Sequence, residues 1–340
     1  MKPHLSRPKP GSRGRSHPKP GSRGRSHPKP GSRGRLAWRA PALVLMLGLA
    51  LGCAGKQPKE QPPVSYGDAR IDEVLTQPPD PIEPTLADEV AIGDQLRDQG
   101  QESEAVFHYL RGLYLDESSP VPRQRVALLH LSHDAPRGQK IFESVIEEHP
   151  RLASAHLGRG LALVAQGHLA GARQSLERAI ELDPDSTIAH IALGLVADGE
   201  GRYAEAQRHY QAALAVEPDR YEVQNNLGMS RLMSEDFEGA ASAFREAVHI
   251  DPRDPAVYNN LGVALARMRL YREALDNFRL SSGEADALNN LGLACHANGD
   301  YGLAITYFEK SLLLGPSDRG VVLANLEATE VAQLLERVLR

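Results

Sequence analysis

Cysteines, aromatic residues and long apolar runs are all scarce in this 340-residue chain. Two cysteines, Cys53 and Cys295, exclude a disulfide framework. Aromatics make up only 5% of the chain, while Ala, Leu, Glu and Arg abound, a balance that favours helix over strand. The apolar run at 40–52 has 13 residues, whereas a spanning helix needs about 20. A net basic balance is confined to the N-terminal stretch. The 12 Lys and Arg up to Arg39 stand in a stretch without Asp or Glu, and the remaining 27 face all 44 acids, a balance near −17. A body that acidic repels phosphate, which argues against nucleic acid as a partner despite the basic front.

Chemistry-bearing motifs are also missing. There is no glycine-rich phosphate loop after a strand, no HExxH and no GxSxG. His130 and His133 in "LLHLSH" have chelating spacing but no third ligand nearby, and read as surface histidines. Cys295, without a CxxC or a catalytic partner, reads as a packed small hydrophobe. No catalytic residue, metal, cofactor or small-molecule substrate is expected, and the chain is not read as an enzyme.

Residues 1–35 are dominated by a decapeptide written three times from residue 6: SRPKPGSRGR, then SHPKPGSRGR twice. Pro, Gly and charge at this density cannot bury a core, so the segment is expected to be disordered. It reads as an overlong leader region or translated upstream sequence; a basic tail for nucleic acid or anionic lipid is the other reading. Next, "LAWRAPALVLMLGLALGCAGK" (36–56) sets Arg39 before a short apolar run ending at Cys53. Its length suits the apolar core of a signal peptide. The ending LALGC resembles a bacterial lipobox, with Ala50 where that motif usually has Leu. The resemblance implies cleavage before Cys53, which becomes the acylated first residue and moors the chain to a bilayer; a bare membrane anchor or an uncleaved signal is the other reading. Residues 54–85 hold seven prolines, so 53–85 reads as an extended tether.

From residue 86 the chain is periodic. "YEVQNNLGMSRLMSEDFEGAASAFREAVHIDP" (221–252) has Leu and Gly at places 7 and 8, an aromatic at 17, Ala at 20, Phe at 24, Ala at 27 and Pro at 32. Units starting at Ala153, Thr187, Pro255 and Ala285 keep most of these places, and weaker units start at Leu86 and Ser119. A period in the thirties indicates stacked helical hairpins. The pattern resembles the tetratricopeptide repeat (TPR). It implies an all-α solenoid of about seven units over 86–318, with 319–340 as a capping helix over the last apolar face. "NNLG" returns after 34 residues, then after 30, because the unit from Pro255 closes early at "LSSGEAD". Four residues are about one helical turn, so the second helix there is expected to lose a turn while keeping its buried face in phase.

In TPR arrays the first helices line a concave groove through places 2, 5, 6 and 9. The resemblance makes Leu157, Leu161, Ile188, Ile191 and Leu195 an apolar half of that groove. Asn225, Asn226, Met229, Asn259, Asn260, Val263, Asn289, Asn290 and Leu293 form the other half, with Asn325 extending the place-6 series. An Asn amide can satisfy both the N–H and the C=O of one peptide unit. The place-6 series resembles the asparagine ladder of the TPR superhelix in O-GlcNAc transferases, which grips peptide backbone. The other reading has these asparagines hydrating the face or bonding within the array. A carboxylate clamp for chaperone tails needs Lys at place 5, where this chain has Leu157, Ile191 and asparagines.

Lipobox, proline tether and TPR array together resemble the small TPR lipoproteins of pilus and secretion systems. The implied function is a lipid-anchored scaffold of the bacterial cell envelope that holds a client polypeptide in its groove. Ala54 lacks the Asp that retains some lipoproteins at the inner membrane, which points to the outer membrane facing the periplasm. An adaptor recruiting or regulating a cell-wall hydrolase or protease is the alternative.

Overall fold

The computed structural model describes residues 84–339. The basic repeats, Cys53 and nearly all of the proline-rich stretch lie outside the described residues. Among the described residues there are fifteen α-helices and no strand. They form seven antiparallel hairpins: α1 (Leu86–Asp98) with α2 (Glu102–Leu115), α3 (Pro120–Leu129) with α4 (Ala135–Glu148), α5 (Ala153–Ala165) with α6 (Leu169–Leu182), and α7 (Thr187–Gly199) with α8 (Tyr203–Val216). Then follow α9 (Tyr221–Met233) with α10 (Phe237–Ile250), α11 (Pro255–Arg267) with α12 (Tyr271–Ser281), and α13 (Glu284–Ala297) with α14 (Tyr301–Leu314). A single helix, α15 (Arg319–Leu339), packs on the last hairpin and closes its core with Val322 and Leu326. The result is the all-α hairpin solenoid that the periodicity implies.

Local chemistry sets the helix starts. Thr85 opens α1 with a capping box: its hydroxyl accepts the Asp88 N–H, and the Asp88 carboxylate accepts the Thr85 N–H. The Thr85 hydroxyl donating to the Asp88 carboxylate at 2.7 Å, and the Thr85 N–H after it, hold the Asp88 carboxyl below the usual range. Asp134, Asp236 and Asp254 cap α4, α10 and α11, and α3, α4 and α11 carry proline in their first turn.

Packing explains the repeated places. An added Cβ on the place-8 glycine would come within 2.7 Å of the place-24 side chain in six hairpins. The pairs are Gly93 with Tyr109, Gly160 with Leu176, Gly194 with Tyr210, Gly228 with Phe244, Gly262 with Phe278, and Gly292 with Phe308. The large side chain at place 24 therefore sits on the glycine of its own hairpin. Phe142, in the weak second unit, leans instead on Gly158 of the following hairpin.

The shortened unit loses its four residues in a different way from a single deleted turn. Helix α12 has 11 residues against 14 in the neighbouring second helices. The link to α13 shrinks to Ser282 and Gly283, where α10 and α11 are joined by four residues. Helix α13 gains one residue at its start. Arg279 bridges the tight link, donating from Nε and Nη2 to the Glu284 carboxylate at 2.6 and 2.8 Å. Phe278 and Leu291 stay fully buried on either side, so the core face does keep its phase.

Candidate functional site

Each first helix touches the first helix of the next hairpin, from α1 and α3 through to α13 and α15. The backbones of successive second helices stay farther apart among the described residues, and Arg173 of α6 reaches across to the Glu205 carboxylate of α8. The first helices therefore crowd together and line the inner face, while the second helices splay outward.

Asparagines form a ladder on this inner face. Asn260 Nδ2 donates to Asn225 Oδ1 at 2.9 Å, Asn290 Nδ2 to Asn259 Oδ1 at 3.2 Å, and Asn325 Nδ2 to Asn289 Oδ1 at 3.1 Å. Each rung joins place 6 of one unit to place 5 of the unit before. Asn226 begins no rung: the preceding place 5 is Ile191, and Asn226 itself is buried. The amides are thus used partly for holding neighbouring hairpins in register. Each ladder amide has three or more hydrogen-bonding valences, and one rung leaves at least one N–H and one lone pair over. The rung asparagines remain half-buried, so those valences stay within reach of a guest.

The apolar half of the predicted groove is a correction. Leu161, Ile191 and Leu195 are each 3% exposed and belong to the core cluster with Leu176, Leu193, Tyr210 and Leu227. The inner-face side chains there pack on one another instead of facing a guest. Leu157 and Ile188 are half-buried, with Leu157 packed against the same cluster. Toward the C-terminus the face opens. At place 9, Leu161 and Leu195 are buried, Met229 and Val263 are half-buried, and Leu293 is 43% exposed. The accessible part of the predicted site is therefore Asn225 to Asn325, with Met229, Val263 and Leu293 between the rungs.

The sequence reading missed a set of buried polar pairs. Asp198 accepts from Tyr210 Oη at 2.9 Å and from Ser230 Oγ at 2.6 Å, linking α7, α8 and α9. Burial pushes its carboxyl up to about 6, against the lowering effect of the two hydroxyls. Tyr109 Oη donates likewise to Asp94 at 2.8 Å. The signal was present: place 24 holds Tyr in these two units and Phe in later ones, and a buried phenol needs an acceptor. His190 Nε2 donates to the Pro184 carbonyl at 3.0 Å, so its Nδ1 accepts from His209 Nδ1, 3.1 Å away. Burial first, and His190 second, lower the His209 pKa. Cys295 is fully buried, and burial pushes its thiol up to about 12. His133 faces Glu102 at 3.4 Å on the surface. No cluster of three metal-binding side chains occurs among the described residues. A polar furrow of about 460 Å³ between α8 and α10, floored by Gln224 and Arg231, lies apart from the ladder residues.

Family models described as tetratricopeptide repeat match residues 191–255, 234–276 and 285–318, and one described as TPR repeat matches 160–197. The hairpins from α5 to α14 are tetratricopeptide repeats. Among curated proteins the chain finds no match. Among solved structures, one from a functional characterization of Pseudomonas aeruginosa pilF aligns with a TM-score of 0.50 at 18% identity, covering 64% of this chain and 98% of that one. The Cut9–Hcn1 hetero-tetramer of the APC/C aligns with a TM-score of 0.50 at 17% identity, covering 73% of this chain and 53% of that one. YrrB, described as a TPR protein with an unusual peptide-binding site, aligns with a TM-score of 0.46 at 23% identity over 56% of this chain and 97% of its own. These likenesses are of fold. A TPR array is a protein-binding scaffold whose stacked first helices offer an extended concave surface.

Proposed function

We propose that this chain is a lipid-anchored TPR scaffold of the bacterial cell envelope. It holds a client polypeptide along the asparagine ladder, in the service of pilus or secretion-system assembly. The carrying observation is the ladder itself, three rungs of half-buried amides with unused valences, interleaved with Met229, Val263 and Leu293. Packed helices sit roughly 9–10 Å apart. An extended peptide advances about 3.3 Å per residue. A rung would therefore meet roughly every third residue of an extended guest, with the apolar side chains between rungs supplying selectivity. Each amide contact contributes about 0.5–1.5 kcal/mol net. The envelope part of the proposal rests on the lipobox-like LALGC at Cys53, and the outer-membrane assignment on Ala54.

Leu293 is the position for the test, because it faces the groove and bears no core load. A photo-crosslinking residue at Leu293 in intact cells of the source organism is expected to trap a polypeptide, while one at the exposed Glu246 on α10 traps none. Absence of an adduct at Leu293, or equal adducts at both positions, would sink the groove reading. Cys53→Ser is expected to release the protein from the membrane fraction. A variant that stays membrane-bound would remove the anchor from the proposal.

A further inference from the structure

Helix α15 departs from what a capping helix needs. Caps of solenoids turn a polar outer face to water. The inner face of α15 does cover the last hairpin, through Val322, Leu326 and Thr329. His296 Nδ1 donates to Thr329 Oγ1 at 2.8 Å, and that hydroxyl donates on to the Asn325 carbonyl at 2.7 Å, fixing the helix in place. Yet α15 has 21 residues where α13 has 14, so it is about 10 Å longer. Gln333 lies against Gly302, in the first turn of α14, and so marks the level where the hairpin ends. Around and beyond that level the outer face is apolar: Val331 is 57% exposed, Leu334 61%, Leu335 56% and Val338 75%. Their spacing of three, one and three is one continuous helical stripe.

The stripe reads the same in both directions. Laid antiparallel against a second copy, Val331 meets Val338 and Leu334 meets Leu335, twice over about a two-fold axis. In heptad terms Val331 and Val338 take a positions, which puts Glu330 and Arg337 at g, the positions that face each other in an antiparallel pair. The charges are opposite. Both side chains are exposed, and neither makes a hydrogen bond or ion pair among the described residues. We infer that the C-terminal half of α15 is a homodimer interface, an antiparallel helix pair with Val331, Leu334, Leu335 and Val338 at its centre and Glu330–Arg337 pairs at both ends. Because only the outer face near the end of α15 takes part, the two repeat arrays leave the pair at opposite ends and keep both asparagine faces free. The inference is independent of the client and of the membrane anchor.

Sedimentation of the full chain carrying Cys53→Ser tests it, over a concentration series up to about 100 μM. A reversible dimer is expected. Leu334→Glu with Leu335→Glu should leave a monomer of unchanged helicity by circular dichroism, since both residues are exposed. Glu330→Arg alone and Arg337→Glu alone should each weaken the dimer by about tenfold, because each places like charges together at both ends. The double variant Glu330→Arg/Arg337→Glu should restore it. That restoration separates pairing through α15 from association through the apolar run 40–52. A wild-type monomer throughout the series overturns the inference, as does a dimer indifferent to Leu334→Glu with Leu335→Glu. Failure of the double charge variant to recover dimerisation also overturns it. So does a monomer that binds phosphatidylglycerol vesicles through the same leucines.

Discussion

Glu235 holds φ at 66° in the turn between α9 and α10. The equivalent residue in four other hairpins is a glycine in the same left-handed region: Gly100, Gly167, Gly201 and Gly299. Arg269 fills the slot between α11 and α12 at φ 63° and has an evident compensation. Its guanidinium grips the Asp300 carboxylate at 2.6 Å and donates to the Asn298 carbonyl at 3.2 Å in the next hairpin's turn. Glu235 is exposed and makes no such side-chain bond. A left-handed conformation costs a residue with a Cβ about 1–2 kcal/mol, and glycine gives back about 0.5–1 kcal/mol of that in unfolded-chain entropy. Glu235→Gly is therefore expected to stabilise the protein by about 0.5–1 kcal/mol in urea denaturation, and Arg269→Gly to gain nothing. Loss of stability in Glu235→Gly would mean that the turn carries an interaction absent from this geometry.

Between elements, the most consequential polar group is Asp198, held between α7, α8 and α9 by two hydroxyl donors. Its folded pKa of about 6 lies above the ordinary carboxyl value of 3.8. A raised acid stabilises the fold while protonated. Its contribution is complete below about pH 4 and is lost as pH rises through about 6. A rise of that size corresponds to about 3 kcal/mol. The stability difference between wild type and Asp198→Asn should therefore fall by about 2–3 kcal/mol from pH 4 to pH 7. Urea denaturation at both pH values measures it, and a pH-independent difference would rule out a burial-raised carboxyl. Taking the difference removes the opposite slope from surface carboxylates such as Glu148 and Glu284, whose arginine partners hold their pKa values down.

At the scale of the array, the described core from Leu161 onward divides into two clusters that meet at α10. One runs from Leu161 to Ala243 and the other from Ala240 to Val322. Stacked repeats contact only their neighbours, so cooperativity passes through each interface in turn. Phe244 is fully buried at the seam, seated on Gly228. Phe244→Ala should cost about 3–5 kcal/mol and divide a single urea transition into two, with hydrogen exchange protecting α5–α8 after α11–α14 have opened. One unbroken transition in that variant would indicate coupling by a route other than the core at α10.

Repeat number and register were legible along the chain because glycine at place 8 and a large side chain at place 24 recur for a local steric reason, which six of the seven hairpins satisfy. Helix starts obey local rules as well, as Asp254 before Pro255 shows at α11. The role of Leu161, Ile191 and Leu195 was not, because an apolar side chain on the inner face serves a core and a groove equally well. Only the side-chain packing of the folded array decided that these three are covered and Leu293 is open. The asparagine doublets likewise announced a polar face, but their bonds cross 31 to 36 residues to the next hairpin. Sequence alone determined what repeats, since each unit carries its own packing rules. The tertiary structure decided what those units leave exposed, because exposure depends on which side chains of the neighbouring hairpins come to cover each position.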